Sequence, residues 1–136
     1  MVKLIIGIKG TGKTKTLIQM VNSALETTGG NVVVLEKGEK LRYDIKYQAR
    51  LVNTDEYYVS DAQSLYGFVA GLLASNHDIT ELFIDSALKI CKDDVEGFRE
   101  FAQKVTPLLE SQNVNFTMTA SIEVEKIPEE LKAYLA

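Results

Sequence analysis

Cysteine and proline are scarce in this chain of 136 residues. Cys91 is the single cysteine, which excludes an internal disulfide framework and a zinc site built from several thiolates. We therefore expect the protein to work in a reducing compartment, the cytoplasm. The two prolines and the nine glycines form no linker between domains, so a single domain is predicted over residues 1–136.

Long apolar runs are also absent. The longest candidate, residues 65–74, falls well short of the roughly 20 residues that a membrane-crossing helix needs. The apolar start of the chain, residues 1–8, leads directly into glycine and lysine with no small-residue cleavage site, unlike a signal peptide. We expect no association with a membrane.

Charge is unevenly distributed, although the formal net charge is only -4. Residues 1–50 carry nine lysines and arginines against four acidic residues, and residues 51–136 carry six against fifteen. An anionic ligand is therefore expected to meet the first part of the chain.

Short apolar runs alternate with segments of helical periodicity. Strands are predicted at residues 2–8, 31–35, 81–85 and 114–122. One helix is predicted from Gly12 to Thr28, and a second from a capping box at Ser60 and Gln63 to Ser75. A third helix is predicted to start at Asp93 and Glu96, with breaks at Gly97 and Pro107, and a short fourth helix to start at Pro128. This order predicts an α/β fold with three layers, in which helices flank a mainly parallel sheet of about five strands.

Residues 41–52 fit two patterns. Apolar and polar residues alternate strictly, as in a strand, but apolar residues from Leu41 onward also recur at helical spacing. We favour extended structure at residues 49–53. An extended segment would place its basic side chains opposite Tyr43 and Tyr47, on a face that could meet nucleic acid or a neighbouring subunit's nucleotide, or one that simply faces solvent.

Residues 7–14, GIKGTGKT, match the pattern G-x-x-x-x-G-K-[ST] at every defined position. The glycines let successive backbone N–H groups point into one concavity, and the helix that follows adds the partial positive charge of its N-terminus. Such a loop binds a diphosphate, with Lys13 on the outer phosphates and the Thr14 hydroxyl on magnesium. The predicted nucleotide-binding residues are Gly7, Lys9, Gly10, Thr11, Gly12, Lys13, Thr14 and Lys15.

On this loop, with its flanking strand and helix, the chain resembles the P-loop NTPases. The resemblance implies one nucleotide-binding domain that takes Mg²⁺ with ATP or GTP, ATP being favoured. The extra lysine that ParA- and MinD-type ATPases carry after the first glycine is replaced by Ile8. The chain is also similar to short bacterial proteins described as ATP-binding or as twitching-motility ATPases, although such a motor needs a sensing domain that we do not expect in 136 residues.

P-loop proteins carry a second carboxylate at the end of an apolar strand, where it reaches magnesium. Residues 82–85 end in Asp85, which the resemblance therefore pairs with Thr14 as the metal-binding residues. Two predicted strands separate the loop from Asp85, an order similar to that of the RecA-like branch. Many of these ATPases continue with a glutamate that activates water, but here Ser86 follows.

RecA-type recombinases instead place their catalytic glutamate after the strand that follows the P-loop helix, and Glu36 matches that position. The alternative for Glu36 is an exposed loop charge. Thr119 and Ser121 end the last strand, where related ATPases sense the terminal phosphate, although threonine is also an ordinary strand residue. The candidate catalytic residues are Lys13, Glu36 and Thr119.

The sequence thus predicts a protein that binds a magnesium nucleotide and hydrolyses it slowly or with a partner. A small-molecule or nucleoside kinase is one alternative, weakened by the few arginines, and a non-catalytic binding module is another. Arg42 or Arg50 could complete the site across a contact in a homo-oligomer. His77 is interpreted as an exposed turn residue, and Gly67 and Gly71 as sites of close helix packing.

Overall fold

The computed structural model describes residues 1–136 as five strands and four helices. The strands are β1 (Val2–Gly7), β2 (Asn31–Glu36), β3 (Arg50–Asn53), β4 (Ile79–Ile84) and β5 (Asn115–Ser121). The helices are α1 (Lys13–Thr27), α2 (Ala62–Ser75), α3 (Ala87–Ile90) and α4 (Val95–Ser111). Short 3-10 helices lie at Thr54–Tyr57, Val124–Lys126 and Glu129–Tyr134, so the short helix predicted from Pro128 is present as a 3-10 helix.

All strand pairs are parallel, and the sheet order is β1-β5-β4-β2-β3. Gly7 at the end of β1 lies opposite Ser121 at the end of β5. Leu35 near the end of β2 lies opposite Ile84 at the end of β4. The residues that follow four of the strands therefore meet at one edge of the sheet, where ligands bind in open parallel sheets.

Both faces of the sheet are covered, because successive strand residues point to opposite sides. In β2, Val32 and Val34 pack with α1 in a cluster of 8 buried residues. Val33 and Leu35 join the helices α2 and α4 in a cluster of 27 buried residues. The predicted three-layer α/β fold with a five-stranded parallel sheet is confirmed.

β1 differs from the strand buried on both faces that its composition suggests. It is an edge strand with β5 as its only full neighbour, and of its side chains only that of Leu4 is fully buried. Its other side meets the end of the chain, where Leu135 bridges to Leu4 and the Ala136 N–H donates to the Leu4 carbonyl oxygen over 3.0 Å.

Residues 41–49 form a series of turns, and the strand is limited to Arg50–Asn53. Leu41, Ile45 and Ala49 are buried against α1, while Tyr43 and Tyr47 are both exposed. The Asn22 side chain of α1 holds this segment, since its Nδ2 donates to the Asp44 carbonyl at 3.1 Å and its Oδ1 accepts from the Lys46 N–H at 3.2 Å. Contact with α1 replaces the alternating pattern over residues 41–49, and the extended structure favoured at residues 49–53 is confirmed from Arg50 to Asn53.

Two helix starts lie one residue beyond the predicted caps. Asp61 and Ser64 form the capping box of α2, in place of Ser60 and Gln63. Asp94 caps α4, and its side chain accepts the Gly97 N–H at 3.1 Å. α4 then continues through Pro107 without a break. Its buried apolar face includes two phenylalanines, and each such side chain stabilises the fold by about 1.5–3 kcal/mol, enough to offset the roughly 3 kcal/mol cost of proline.

The helices are short. α4 has 17 residues, α1 has 15 and α2 has 14. None of them combines the length and the apolar character that crossing a bilayer requires.

Cys91 is buried, and His77 lies in an exposed turn as predicted. Cys91 is buried in the larger core cluster, and this burial raises the pKa of its thiol to about 12. A thiol that stays protonated at neutral pH is a packing residue and a poor nucleophile. His77 is exposed in the turn between α2 and β4.

Thr106 provides a test of the core. This α4 residue is buried, and its Oγ1 has no hydrogen-bond partner. Thr106→Val removes an unsatisfied hydroxyl, so we expect the free energy of unfolding to rise by about 1 kcal/mol in urea denaturation. Thr54→Val is the matched control: Thr54 Oγ1 donates to the Glu36 carbonyl oxygen at 3.2 Å, and its loss should destabilise the fold by about 1–3 kcal/mol. A destabilised Thr106→Val variant would contradict this account of the core.

Candidate functional site

The glycine-rich loop, residues 7–14, connects β1 to α1 at the carboxyl edge of the sheet. Gly10 and Gly12 have φ of 88° and 83°, in the left-handed region that side chains disfavour. At Gly7 the reason for glycine is space, because a Cβ there would lie 2.5 Å from Thr11 Oγ1. The backbone conformation therefore favours glycine at residues 10 and 12, and the contact with Thr11 favours it at residue 7.

Two side chains close the loop on itself. Thr11 Oγ1 donates to the Ile8 carbonyl oxygen at 2.8 Å, and Lys13 Nζ donates to the same oxygen at 2.8 Å. The Lys13 ammonium group is thus folded back over the loop. It makes no salt bridge, so its charge remains available to an anion in front of the loop.

The backbone N–H groups from Gly10 to Lys15 form the most unusual feature of this region. None of these six successive groups donates to an acceptor in the protein. α1 begins here without a side-chain cap, since its N-cap residue is Gly12. A helix start with free N–H groups and partial positive charge is suited to binding an anion.

Asp85 lies next to this helix start. It follows β4 directly, and its N–H donates to the Leu35 carbonyl oxygen of β2 at 2.9 Å. Thr14 Oγ1 lies 3.2 and 3.3 Å from the two Asp85 carboxylate oxygens. The structure thus brings together the two residues predicted to hold a metal ion.

These oxygen atoms fit Mg²⁺. This ion is commonly bound by one or two protein oxygens together with phosphate oxygens of a substrate, rather than by an all-protein cage. No group of three or more His, Cys, Asp or Glu side chains in the chain is arranged to hold a metal. The hydroxyl of Thr14 and the carboxylate of Asp85 could supply two of the oxygen ligands of such an ion.

Thr119 acts on Asp85. Its hydroxyl donates to Asp85 Oδ1 at 2.8 Å and accepts the Ser86 N–H at 2.7 Å, and the residue is only 1% exposed. The Thr119 hydroxyl has one hydrogen, which it donates to Asp85, so in this structure Thr119 contacts the carboxylate and has no second hydrogen to donate to a ligand. Ser121, two residues later on the same side of the strand, is exposed and lines the neighbouring cleft.

This cleft has a volume of about 470 Å³ and lies between the glycine-rich loop, the residue after β4, α3 and the loop after β2. Its lining carries five lysines against two aspartates, Asp85 and Asp93, and none of the five makes a salt bridge. The cleft is therefore positively charged. The five lysines are Lys9, Lys13, Lys15, Lys40 and Lys89.

Glu36 does not line this cleft. It ends β2, is only 3% exposed, and accepts the N–H groups of Lys40 at 3.1 Å and Leu41 at 3.0 Å. Burial raises the pKa of Glu36, and the two backbone hydrogen bonds oppose this rise. The alternative of an exposed loop charge is therefore wrong, and the contacts of the carboxylate are with the loop rather than with the cleft.

Sequence reasoning missed several cleft residues. Lys40 and Leu41 come from the loop after β2, and Lys89 and Asp93 come from α3 and the turn after it. No motif marks them, because the tertiary structure alone brings these loops to the cleft. Arg42 and Arg50 instead line a separate cavity of about 210 Å³.

A scan against models of protein families finds no match for this chain, and neither does a search of curated proteins.

Gly12→Ala tests whether the loop backbone is held in its left-handed conformation. A Cβ at Gly12 would meet nothing within 4 Å, so the expected loss of about 1–2 kcal/mol in the free energy of unfolding comes from φ alone. Gly67→Ala in α2 is the control. Its Cβ would also meet nothing within 4 Å, and because Gly67 lies in a helix, alanine there should raise the free energy of unfolding by up to about 1 kcal/mol. A Cβ at Gly71 would likewise meet nothing, so the predicted close packing at Gly67 and Gly71 is wrong. Urea denaturation of both variants measures the difference, and equal effects would contradict the assignment.

Proposed function

We propose that this protein binds Mg²⁺ with a nucleoside triphosphate, ATP being favoured over GTP, through residues 7–14 acting as a P-loop. The observation that carries the proposal is the run of six unpartnered N–H groups from Gly10 to Lys15 at the start of α1, beside a cleft with five lysines free of salt bridges. Their directional donors and positive charge suit a chain of phosphates.

Each residue then has a defined task. The loop N–H groups and Lys13 hold phosphate oxygens, while Thr14 and Asp85 hold the metal. Thr119 keeps the Asp85 carboxylate in place through its 2.8 Å hydrogen bond. When bound, Mg²⁺ bridges outer phosphate oxygens and neutralises charge on them.

The sheet order supports placement in the RecA-like branch of P-loop proteins. β5 lies between β1, which leads into the loop, and β4, which leads into Asp85. This separation by one strand is similar to the arrangement in that branch. A role with cytoplasmic nucleotide also agrees with a single cysteine that is buried and reduced.

Slow or partner-dependent hydrolysis is supported by the groups that the cleft lacks. Both oxygens of Glu36 hold backbone N–H groups, and Ser86 stands where many P-loop ATPases carry a second acidic residue. None of the three arginines lines the cleft, so none can contribute positive charge to the terminal phosphate there. An arginine of a partner protein, or Arg42 or Arg50 of a second copy of this chain, would supply that charge.

The same contacts favour a second candidate, a nucleotide-binding module without catalysis. The products formed from ATP distinguish these functions. Inorganic phosphate indicates an ATPase, a phosphorylated acceptor indicates a kinase, and unchanged ATP indicates a binding module.

Lys13→Ala tests nucleotide binding. At about 100 times its dissociation constant, Mg-ATP should stabilise the wild-type protein by about 2.7 kcal/mol, a rise of roughly 10 °C in Tm. Lys13→Ala should lose most of this rise in Tm, because the substitution removes the ammonium group that lies over the loop. Lys104→Ala, which removes an exposed lysine of α4, should keep the full rise in thermal denaturation. If neither ATP nor GTP raises the Tm of the folded wild-type protein, the proposed function fails.

Asp85→Asn tests the metal. We expect it to reduce the gain in nucleotide affinity that Mg²⁺ provides by at least about tenfold, since even indirect partners of metal ligands have effects of that size. Affinity measured in EDTA should change much less. Asp93→Asn, at the other carboxylate of the cleft, serves as the control in the same calorimetric titrations. Equal losses with and without magnesium in Asp85→Asn would make Asp85 a structural residue.

A further inference from the structure

The loop after β2, residues 37–41, is fixed at several points. Besides the two hydrogen bonds to the Glu36 carboxylate, the Gly38 N–H donates to Asn53 Oδ1 at 2.9 Å. Lys37 Nζ lies 2.8 Å from Asp55 Oδ1 in a salt bridge. Leu41 is buried in the cluster on the α1 face of the sheet. The backbone of Lys40 is therefore held between two anchors, the Glu36 carboxylate and the Leu41 side chain.

Lys40 differs from the other cations of this segment. Lys37 pairs with Asp55, Arg42 with Glu39 and Lys46 with Glu26. Lys40 makes no salt bridge and is the only one of the four that lines the large cleft. Lys40 thus has no carboxylate within salt-bridge distance, and it lines the same cleft as Lys13 and Asp85.

The carboxyl ends of the strands show where a ligand would meet Lys40. Going across the sheet, the glycine-rich loop follows β1, Asp85 follows β4, and the Lys40 loop follows β2 beside it. A ligand that reached from the N–H groups of the loop to a metal ion at Thr14 and Asp85 would run from the end of β1 toward the end of β4. The next strand in that direction is β2, which leads into the Lys40 loop.

We propose that Lys40 binds the terminal phosphate within the same chain and makes the site prefer a nucleoside triphosphate over a diphosphate. Glu36 is the positioning residue, because its carboxylate holds the backbone N–H of Lys40. This inference rests on the proposed function and assigns a residue to its third phosphate. The ammonium group provides in cis a part of the positive charge that arginines do not supply here.

The ratio of the ADP to the ATP dissociation constant, measured by calorimetric titration with magnesium, tests this assignment. Lys40→Ala should lower the ratio by about tenfold, since a charged hydrogen bond to the third phosphate is lost while ADP binding changes little. Lys40→Arg should keep most of the preference. Lys46→Ala removes a paired lysine of the same segment and should leave the ratio unchanged.

Glu36→Gln provides the second variant. The two loop N–H groups donate to different oxygens of the Glu36 carboxylate, and in glutamine one of these oxygens is replaced by an NH2 group, which donates and does not accept. We expect a smaller fall in the ADP to ATP ratio than in Lys40→Ala, and none in Glu39→Gln, whose carboxylate pairs with Arg42. A general loss of protein stability would weaken the binding of ADP and ATP equally and leave the ratio of their dissociation constants unchanged.

Two outcomes overturn the inference, and they are distinguishable. If the wild-type protein binds ATP through Lys13 but Lys40→Ala keeps the wild-type ratio, Lys40 has no such role and the proposed function stands. If the wild-type protein binds neither nucleotide, the proposed function fails and the role of Lys40 fails with it.

Discussion

Parallel pairing of β4 between β2 and β5 is the constraint on which the cleft depends. It places Asp85 one residue beyond β4, where its N–H reaches the Leu35 carbonyl oxygen of β2 and its carboxylate receives the Thr119 hydroxyl of β5. The same carboxylate also contacts the Thr14 hydroxyl at the start of α1. A shift of register in either pair would separate these groups, because the side chains of a strand alternate between faces.

The two buried carboxylates at this edge have different surroundings. Asp85 lines the cleft and contacts hydroxyl groups, which leaves oxygen atoms that can also face a metal ion. Glu36 turns its oxygens to the backbone of the following loop. This difference follows from the loops, since Asp85 precedes the tight turn into α3, whereas Glu36 precedes a loop that folds back over it. Neighbouring strands thus provide one carboxylate to the cleft and use the other to shape its wall.

Much of the fold could be predicted from the sequence because its signals are local. Each of these patterns predicts the structure of the residues that form it: the apolar runs predict β2 and β4, the periodicity predicts α1, and the glycines predict the loop at residues 7–14. Residues 41–49 were not predictable in this way, because their conformation depends on hydrogen bonds from Asn22 in α1. Lys40 likewise enters the cleft through tertiary contacts alone. Asp85 lies 71 residues after Thr14 in the chain, and their proximity was expected from the resemblance to P-loop proteins.

The central claim is that the free N–H groups at the start of α1 bind phosphate. Amide resonances of a ¹⁵N-labelled protein, followed while Mg-ATP is added, test it most directly. The account predicts saturable shifts that are largest from Gly10 to Lys15, with smaller ones at Lys40 and Asp85, and little change in α4. Shifts that spare Gly10 to Lys15 while other regions respond, or no saturable shifts at all, would contradict it.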